Sequence, residues 1–297
     1  SQADRMLFTD DLVVERDQPG RPHEGKILAA IQPHADDIPI FAAGTVAKLI
    51  REGYTGYLIN VTNDDHAGPG TVGDTVVANE DDVLAAAKAL GIQKTYWLGY
   101  RNHMMEDIHF IEMKARLIFL FRLLNVDTVI GYDPYGLYEE NPDHWMTARV
   151  TEAACWMAGG GKDYPEHFKM GLKPRGIREK YYHARGIQHV NRVVDVSSTI
   201  EARIDSNVAN LAQGPAGNSG VRFRDQLAKE GKRMPAFSGD HLATNRAYVR
   251  EFLLEDEKAL GRRYGLAYAE AFHYIGPGSG YAPTIREYIE KNAVPVK

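Results

Sequence analysis

The 297-residue sequence holds a single cysteine, Cys155. One thiol excludes an internal disulfide framework and a cysteine-rich zinc site. Cys155 lies among apolar residues on a predicted helix, which makes it a buried bystander rather than a nucleophile. No apolar run approaches the roughly 18–20 residues that a membrane span needs. The formal charge is −5 and there is no basic stripe with interleaved aromatics, so nucleic acid is not an expected partner. The glycine-rich segment AGPGTVGD, residues 67–74, lacks the lysine of a phosphate loop, which discounts nucleotide binding. There is no internal repeat and no low-complexity tract. What remains is an ordinary globular composition, 44% hydrophobic and 25% charged, at a length that fits one large domain. The chain starts at Ser1 with no visible signal segment. The cytoplasm, or a secreted or periplasmic site after signal removal, is equally compatible with it.

Residues 1–25 are polar and irregular and read as an N-terminal arm. Residues 26–37, KILAAIQPHADD, read as a buried strand that ends abruptly in one imidazole and two carboxylates. Helical spacing follows over 39–52, then a strand over 57–62, a helix over 79–90 stopped by Gly91, and a strand over 95–98. A helix over 108–124, a strand over 128–131 and a helix over 145–157 complete the first half. Strands alternating with long helices predict an α/β fold: a Rossmann-like open sheet, mostly parallel, with helices on both faces. From about residue 176 the pattern is less regular. Strands are expected over 180–184, 192–196 and 269–275, and helices over 198–213 and 243–264. No linker intervenes, so 26–297 reads as one domain with an appended C-terminal helical and strand layer.

Ligands of open parallel sheets bind beyond the carboxyl ends of the strands. Every unusual polar cluster of the first half falls there: His34, Asp36 and Asp37; Asn63 to His66; Tyr100 to His103; Tyr132 and Asp133 with Asn141, Asp143 and His144. Taken alone, the first cluster also reads as a turn with Asp36 and Asp37 as helix-capping acids. Asp64, Asn102 and Asp133 read as ordinary loop residues as readily as substrate contacts. Imidazole and carboxylate are the ligands of a catalytic zinc, which takes three protein groups and keeps a position open. His34 and Asp37 converge from one turn, and His144 supplies a third ligand from a distant strand end. Asp36 is then a carboxylate placed to take a proton from metal-activated water.

PHADD after the first strand, TND after the second, LGY after the third and PDH after the fourth resemble the LmbE/PIG-L family of zinc-dependent de-N-acetylases, over roughly residues 26–160. The family's usual first motif is His-Pro-Asp-Asp, from which Ala35 departs at a spacer. Its second is His-Pro-Asp-His, which here reads Asn141-Pro142-Asp143-His144. The resemblance implies that His34, Asp37 and His144 bind zinc, or another divalent metal, and that Asp36 is the general base. It implies that Asp143 orients the group at position 141, where the family's histidine stabilises the oxyanion or protonates the leaving amine. Asn141 can donate a hydrogen bond to an oxyanion but cannot deliver a proton. The expectation is therefore that Asp36 returns its proton, or that His66, His103 or His273 supplies one. Asp65, His66, Arg101 and His103, with Arg149, are expected to contact substrate.

The expected function is a metal-dependent hydrolase that removes an N-acetyl group from an amino sugar or glycoconjugate. The expected partners are thus a small molecule or glycan, with a homo-oligomer compatible. Cleavage of another amide-linked conjugate, or a degenerate sugar-binding protein of the same fold, are the alternatives. A magnesium-binding receiver domain is disfavoured, because the third strand ends in Gly99-Tyr100 instead of an acceptor aspartate.

Overall fold

A computed structural model describes residues 2–277 and 281–296. Eight strands form one sheet: β1 (Met6–Glu15), β2 (Ile27–Gln32), β3 (Thr55–Thr62), β4 (Lys94–Tyr100), β5 (Thr128–Tyr132), β6 (Glu179–His183), β7 (Gln188–Asp195) and β8 (Ala269–Ile275). Their order is β1-β7-β8-β6-β5-β2-β3-β4. Neighbouring strands run parallel except β8, which lies antiparallel between β6 and β7. The helices are α1 (Asp37–Phe41), α2 (Ala43–Arg51), α3 (Val72–Leu90), α4 (Phe110–Leu124), α5 (Pro142–Met157), α6 (Glu166–Lys169), α7 (Ile200–Val208), α8 (Ser219–Lys229), α9 (His241–Phe252), α10 (Glu255–Arg263) and α11 (Tyr281–Asn292).

Strand β2 is apolar throughout because it is covered on both faces. Leu28 and Ala30 share a core with Val46 and Leu49 of α2 and Val83 and Ala87 of α3. Ala29 and Ile31 point the other way, into a core with Met113 and Leu117 of α4 and Val150 and Ala154 of α5. The expected mostly parallel sheet with helices on both faces is therefore what the chain adopts.

Several elements differ from the sequence reading. The arm is not irregular: Met6–Glu15 is an edge strand, parallel to β7, with a register shift between Phe8 and Val13. Its solvent-facing polar residues hid the pattern, while Glu15 is buried and accepts from Lys48, Tyr181 and Arg192. The expected helix over 39–52 breaks at Ala42, whose φ is −142°. The glycine-rich segment is half helical: Thr71 and Asp74 form a reciprocal capping box at the start of α3. The expected helix over 243–264 divides into α9 and α10, and Leu254 at the break is buried in a small core with Ile204 and Val249.

The helix expected over 198–213 ends at Val208 because the chain there turns back over the strand ends. Leu211 N and Ala212 N donate to Asp82 Oδ2 of α3, each at 2.7 Å. Asn210 Nδ2 donates to Ala35 O at 3.1 Å, and Gln213 Nε2 to Asp64 Oδ1 at 2.7 Å. The C-terminal layer thus clamps the polar turns of the first half. Glu270 of β8 ties the two halves again by accepting from Gly44 N and Thr45 N, at 2.9 Å each, at the start of α2. Gly44 is required by packing, since a Cβ there would come within 2.6 Å of Val196 Cβ.

Candidate active site

The turn after β2 carries the first three groups. Asp36 occupies the N-cap position of α1, yet its side chain makes no capping hydrogen bond. Asp37, the first residue of α1, does not serve the helix either: Oδ2 accepts from His34 N at 2.8 Å and Oδ1 from Tyr132 Oη at 2.7 Å. The plain capping reading therefore fails at both acids. From the 209–217 loop, Gly214 passes so close to Asp36 that a Cβ there would lie 3.1 Å from Asp36 Oδ2, and its φ of +92° admits few residues other than glycine.

The second group of candidate ligands starts α5. Asn141 is its N-cap, with Oδ1 accepting from Asp143 N at 3.0 Å, and Pro142 follows at the first helical position. This aims His144 and Asp143 back over β2. His144 Nε2 lies 3.0 Å from His34 Nδ1 and 3.6 Å from Asp37 Oδ1, and Asp37 Oδ2 lies 3.4 Å from His34 Nδ1. The three residues are buried. Asp143 Oδ2 lies 2.8 Å from His34 Nε2 and accepts from His103 N at 2.8 Å. Asp143 therefore holds His34 and not residue 141, because α5 begins with its second residue facing the β2 turn. Glu139 Oε2 lies 3.2 Å from His144 Nδ1 and is itself held by Arg185.

Charge in this pocket is divided by partner. Burial works to raise Asp37, but the His144 and His34 imidazoles outweigh it and hold the carboxyl well below its usual range. Burial likewise opposes the charge on His34, but its bonds to Asp143 and Asp37 raise it well above the ordinary histidine value. Asp36 lacks such a partner: burial, then the Asp37 charge, push it up to about 6. Burial pushes Asp64 up to about 7, and its Oδ2 accepts from Ala35 N at 3.2 Å. One nearby acid is thus poised to exchange a proton while its neighbour stays ionised.

The three convergent groups suit a metal. A divalent ion bound at about 2.0–2.2 Å by imidazole and carboxylate in a tetrahedron sets its ligand atoms about 3.3 Å apart. His34 Nδ1 and His144 Nε2 lie 3.0 Å apart, Asp37 turns a different oxygen to each, and one donor atom from each of the three residues lies within 4.8 Å of the others. The donor set of two nitrogens and one oxygen fits zinc and several other first-row ions alike.

The remaining candidates fall into two groups. Asp65 is buried and accepts from Arg101 Nε at 2.7 Å, Asn102 N at 2.9 Å and His66 Nδ1 at 3.1 Å. It anchors a rim on which His103, at φ +61°, presents its ring 6.4 Å from that of His34 and 6.0 Å from that of His66. The other candidates are not brought to the cluster. His273 lies within β8 and bonds Asp133 at 3.0 Å, while Arg149 is exposed on α5 over the Trp145 ring at 4.9 Å. Sequence reasoning missed Glu139, Gln213 and the supporting role of Tyr132, whose ring stacks on His144 at 4.2 Å. It also missed His183, which ends β6 and contacts Tyr132 at 4.4 Å. The strand-end rule would have found His183 had it been applied to the second half.

Comparison with known proteins is consistent with this site. Diacetylchitobiose deacetylase of Thermococcus kodakarensis is 24% identical over 197 residues, which is 64% of this chain and 71% of that protein. The fold is shared with N,N'-diacetylchitobiose deacetylase from Pyrococcus horikoshii, at a TM-score of 0.66 and 20% identity over 84% of each chain. It is also shared with the 4-carboxy-2-hydroxymuconate hydratase GalB from Pseudomonas putida KT2440, at 0.60 and 16%, over 85% of this chain and 97% of that one. The family model described as PIG-L, GlcNAc-PI de-N-acetylase, matches residues 29–155. The matched segment is the one that carries the four polar strand ends in order.

Proposed function

We propose that the protein is a metal-dependent hydrolase that removes an N-acyl group, most simply acetyl, from an amino sugar or glycoconjugate. The observation that carries this reading is the convergence of His34, Asp37 and His144 on one point with Asp36 beside them and uncommitted to the helix. His34, Asp37 and His144 would hold a divalent ion, zinc fitting the donor set. When bound, such an ion polarises an amide carbonyl and acidifies water. Everything else is done by the chain. Asp143 fixes the orientation of the His34 ring and Glu139 that of His144. Asp36 takes the proton of the attacking water as its oxygen bonds to the carbonyl carbon. It then gives that proton to the nitrogen as the C–N bond breaks, leaving a carboxylate and a free amine. Asn141 spends its carbonyl on the helix cap and has its amide N–H left to donate to the developing oxyanion. Asp65, His66, Arg101 and His103 form the rim that meets the sugar.

The fold alone does not choose the reaction, because a hydratase shares it. The test is acetate release from a panel of N-acetylated sugars, including N-acetylglucosamine and its conjugates, by the metal-loaded chain. Asp36→Asn is expected to keep the metal and lose activity by about 10²–10⁴-fold. Full turnover by that variant with unchanged metal content overturns the base assignment. Release of no acyl group from any N-acylated substrate overturns the reading.

A further inference from the structure

A second polar space lies beyond the rings of Tyr132 and His183. It is a cleft of about 260 Å³ between the end of β6, α7, the corner of α9 and α10, and β8. None of His34, Asp36, Asp37 and His144 lines it. Three of its side chains are almost wholly buried: His183 is 2% exposed, Asn207 1% and Arg203 3%. Both ring nitrogens of His183, both amide atoms of Asn207 and Nη1 of Arg203 lack any hydrogen-bond partner among the described residues. Arg203 and Asn207 stand four residues apart on α7, hence on one face. A buried polar atom without a partner is costly, because it has given up water and gained nothing in return. The five belong to three side chains that line one cleft and have almost no accessible surface themselves, so an occupant supplies the missing bonds as these side chains turn toward it.

The lining selects the class of that occupant. The Arg203 charge is matched by Glu257, at 3.0 Å to Nε and 2.8 Å to Nη2. Glu270 spends its oxygens on Gly44 and Thr45. Burial pushes His183 down to about 4, so the ring is neutral, with one donor and one acceptor nitrogen. Asn207 likewise offers one donor group and one acceptor. Hydroxyls both donate and accept, which matches this pairing, whereas an anion needs unopposed positive charge. The two other arginines of the lining are also opposed, Arg185 by Glu139 and Glu140 and Arg5 by Asp256, and Phe41 and Phe252 offer aromatic faces for the apolar face of a ring. The volume is just below the roughly 300–1,000 Å³ of drug-sized sites, which limits the occupant to a single ring. We propose that this cleft binds one neutral polyhydroxylated ring, a single sugar residue or a cyclitol, at a site separate from the His34–Asp37–His144 cluster and independent of the reaction assigned there.

The experiment is a titration of the metal-loaded full chain with glucose, myo-inositol and inorganic phosphate, followed by calorimetry and by the imidazole resonances of His183. The neutral rings are expected to bind and to shift those resonances, and phosphate is not. Asn207→Leu is expected to weaken binding at least about tenfold, with its thermal midpoint and metal content confirming that it is folded. If that variant unfolds, Ala271→Leu, which fills the cleft from β8, is expected to give the same loss. His144→Ala is expected to leave binding of the neutral rings intact. Loss of binding in His144→Ala with retention in Asn207→Leu would place the sugar at the cluster and overturn the proposal. Binding of phosphate in preference to the neutral rings, or of no probe at all, would overturn it equally.

Discussion

His34 and His183 are both buried, at 6% and 2% exposure, and Tyr132 stands between them. The hydroxyl of Tyr132 serves Asp37 beside His34, and its ring touches His183. The two imidazoles behave oppositely. His34 sits among Asp37, Asp64 and Asp143 and is raised well above the ordinary histidine value against the pull of burial. His183 is stacked on Phe41 at 5.1 Å, has no carboxylate in contact, and is pushed down to about 4 by burial. Burial alone thus does not decide the state of a buried histidine; the charge of its immediate partners does. The same division runs through the acids. Asp37 and Asp143, which face imidazoles, are held ionised, and Asp36, which does not, is pushed up to about 6. One pocket gathers charged groups around a titrating acid, and the other gathers neutral polar groups.

The largest effect is expected from breaking the charged pocket itself. On the proposed ligand set, His144→Ala removes one of three ligands, and the remaining pair is expected not to hold an ion at useful occupancy. Bound metal should fall to trace levels and deacylation by about a thousandfold or more, the scale of several kcal/mol of lost charge stabilisation. Metal analysis of the purified variant checks this; ordinary stoichiometry would remove His144 from the ligand set. A smaller effect is expected from making His34 more like His183. Asp143→Ala takes away the carboxylate on His34 Nε2, so the ring loses its orientation and part of its basicity. Metal affinity should drop about 10–100-fold, measured by competition with a chelator. An unchanged affinity would show that Asp143 serves only the His103 backbone.

Much of the charged pocket was legible in the sequence because its residues sit at strand ends, and strand ends can be read from apolar runs. His34, Asp37 and His144 announce themselves this way, 110 positions apart. The supporting groups were harder. Tyr132 was read only as one member of a polar strand end, and it is the pairing of β5 with β2 that brings its hydroxyl to Asp37; Glu139 is an ordinary acid of the loop before α5, and only the placement of α5 brings His144 to it. Gln213 comes from a loop whose glycines and proline signalled irregularity without saying where it would land. Strand β1 was unreadable because an edge strand needs only one covered face and its alternation is broken at the exposed Asp10 and Asp11, where its pairing with β7 shifts register. His183 was hidden for a different reason: the second half has short elements and few periodic runs, so its strand ends drew no scrutiny.

The smallest effect sharpens the comparison from the neutral side. An unfolded chain presents His183 at about pH 6.5, whereas burial holds the folded ring at about 4. Between those values the unfolded state binds the proton that the folded state refuses. Stability from this group is therefore complete above pH 6.5 and is lost as pH falls through that window. The loss reaches about 2 kcal/mol at pH 5 relative to pH 8. His183→Phe keeps a ring to stack on Phe41 and cannot be protonated, so it should unfold with a shallower pH dependence than the parent, the two curves diverging below pH 6.5. Denaturant midpoints at pH 8, 6 and 5 measure the difference. Parallel curves would show that His183 takes up a proton in the folded state without penalty, the pull of Asp37, Asp133 and Glu139 then outweighing burial.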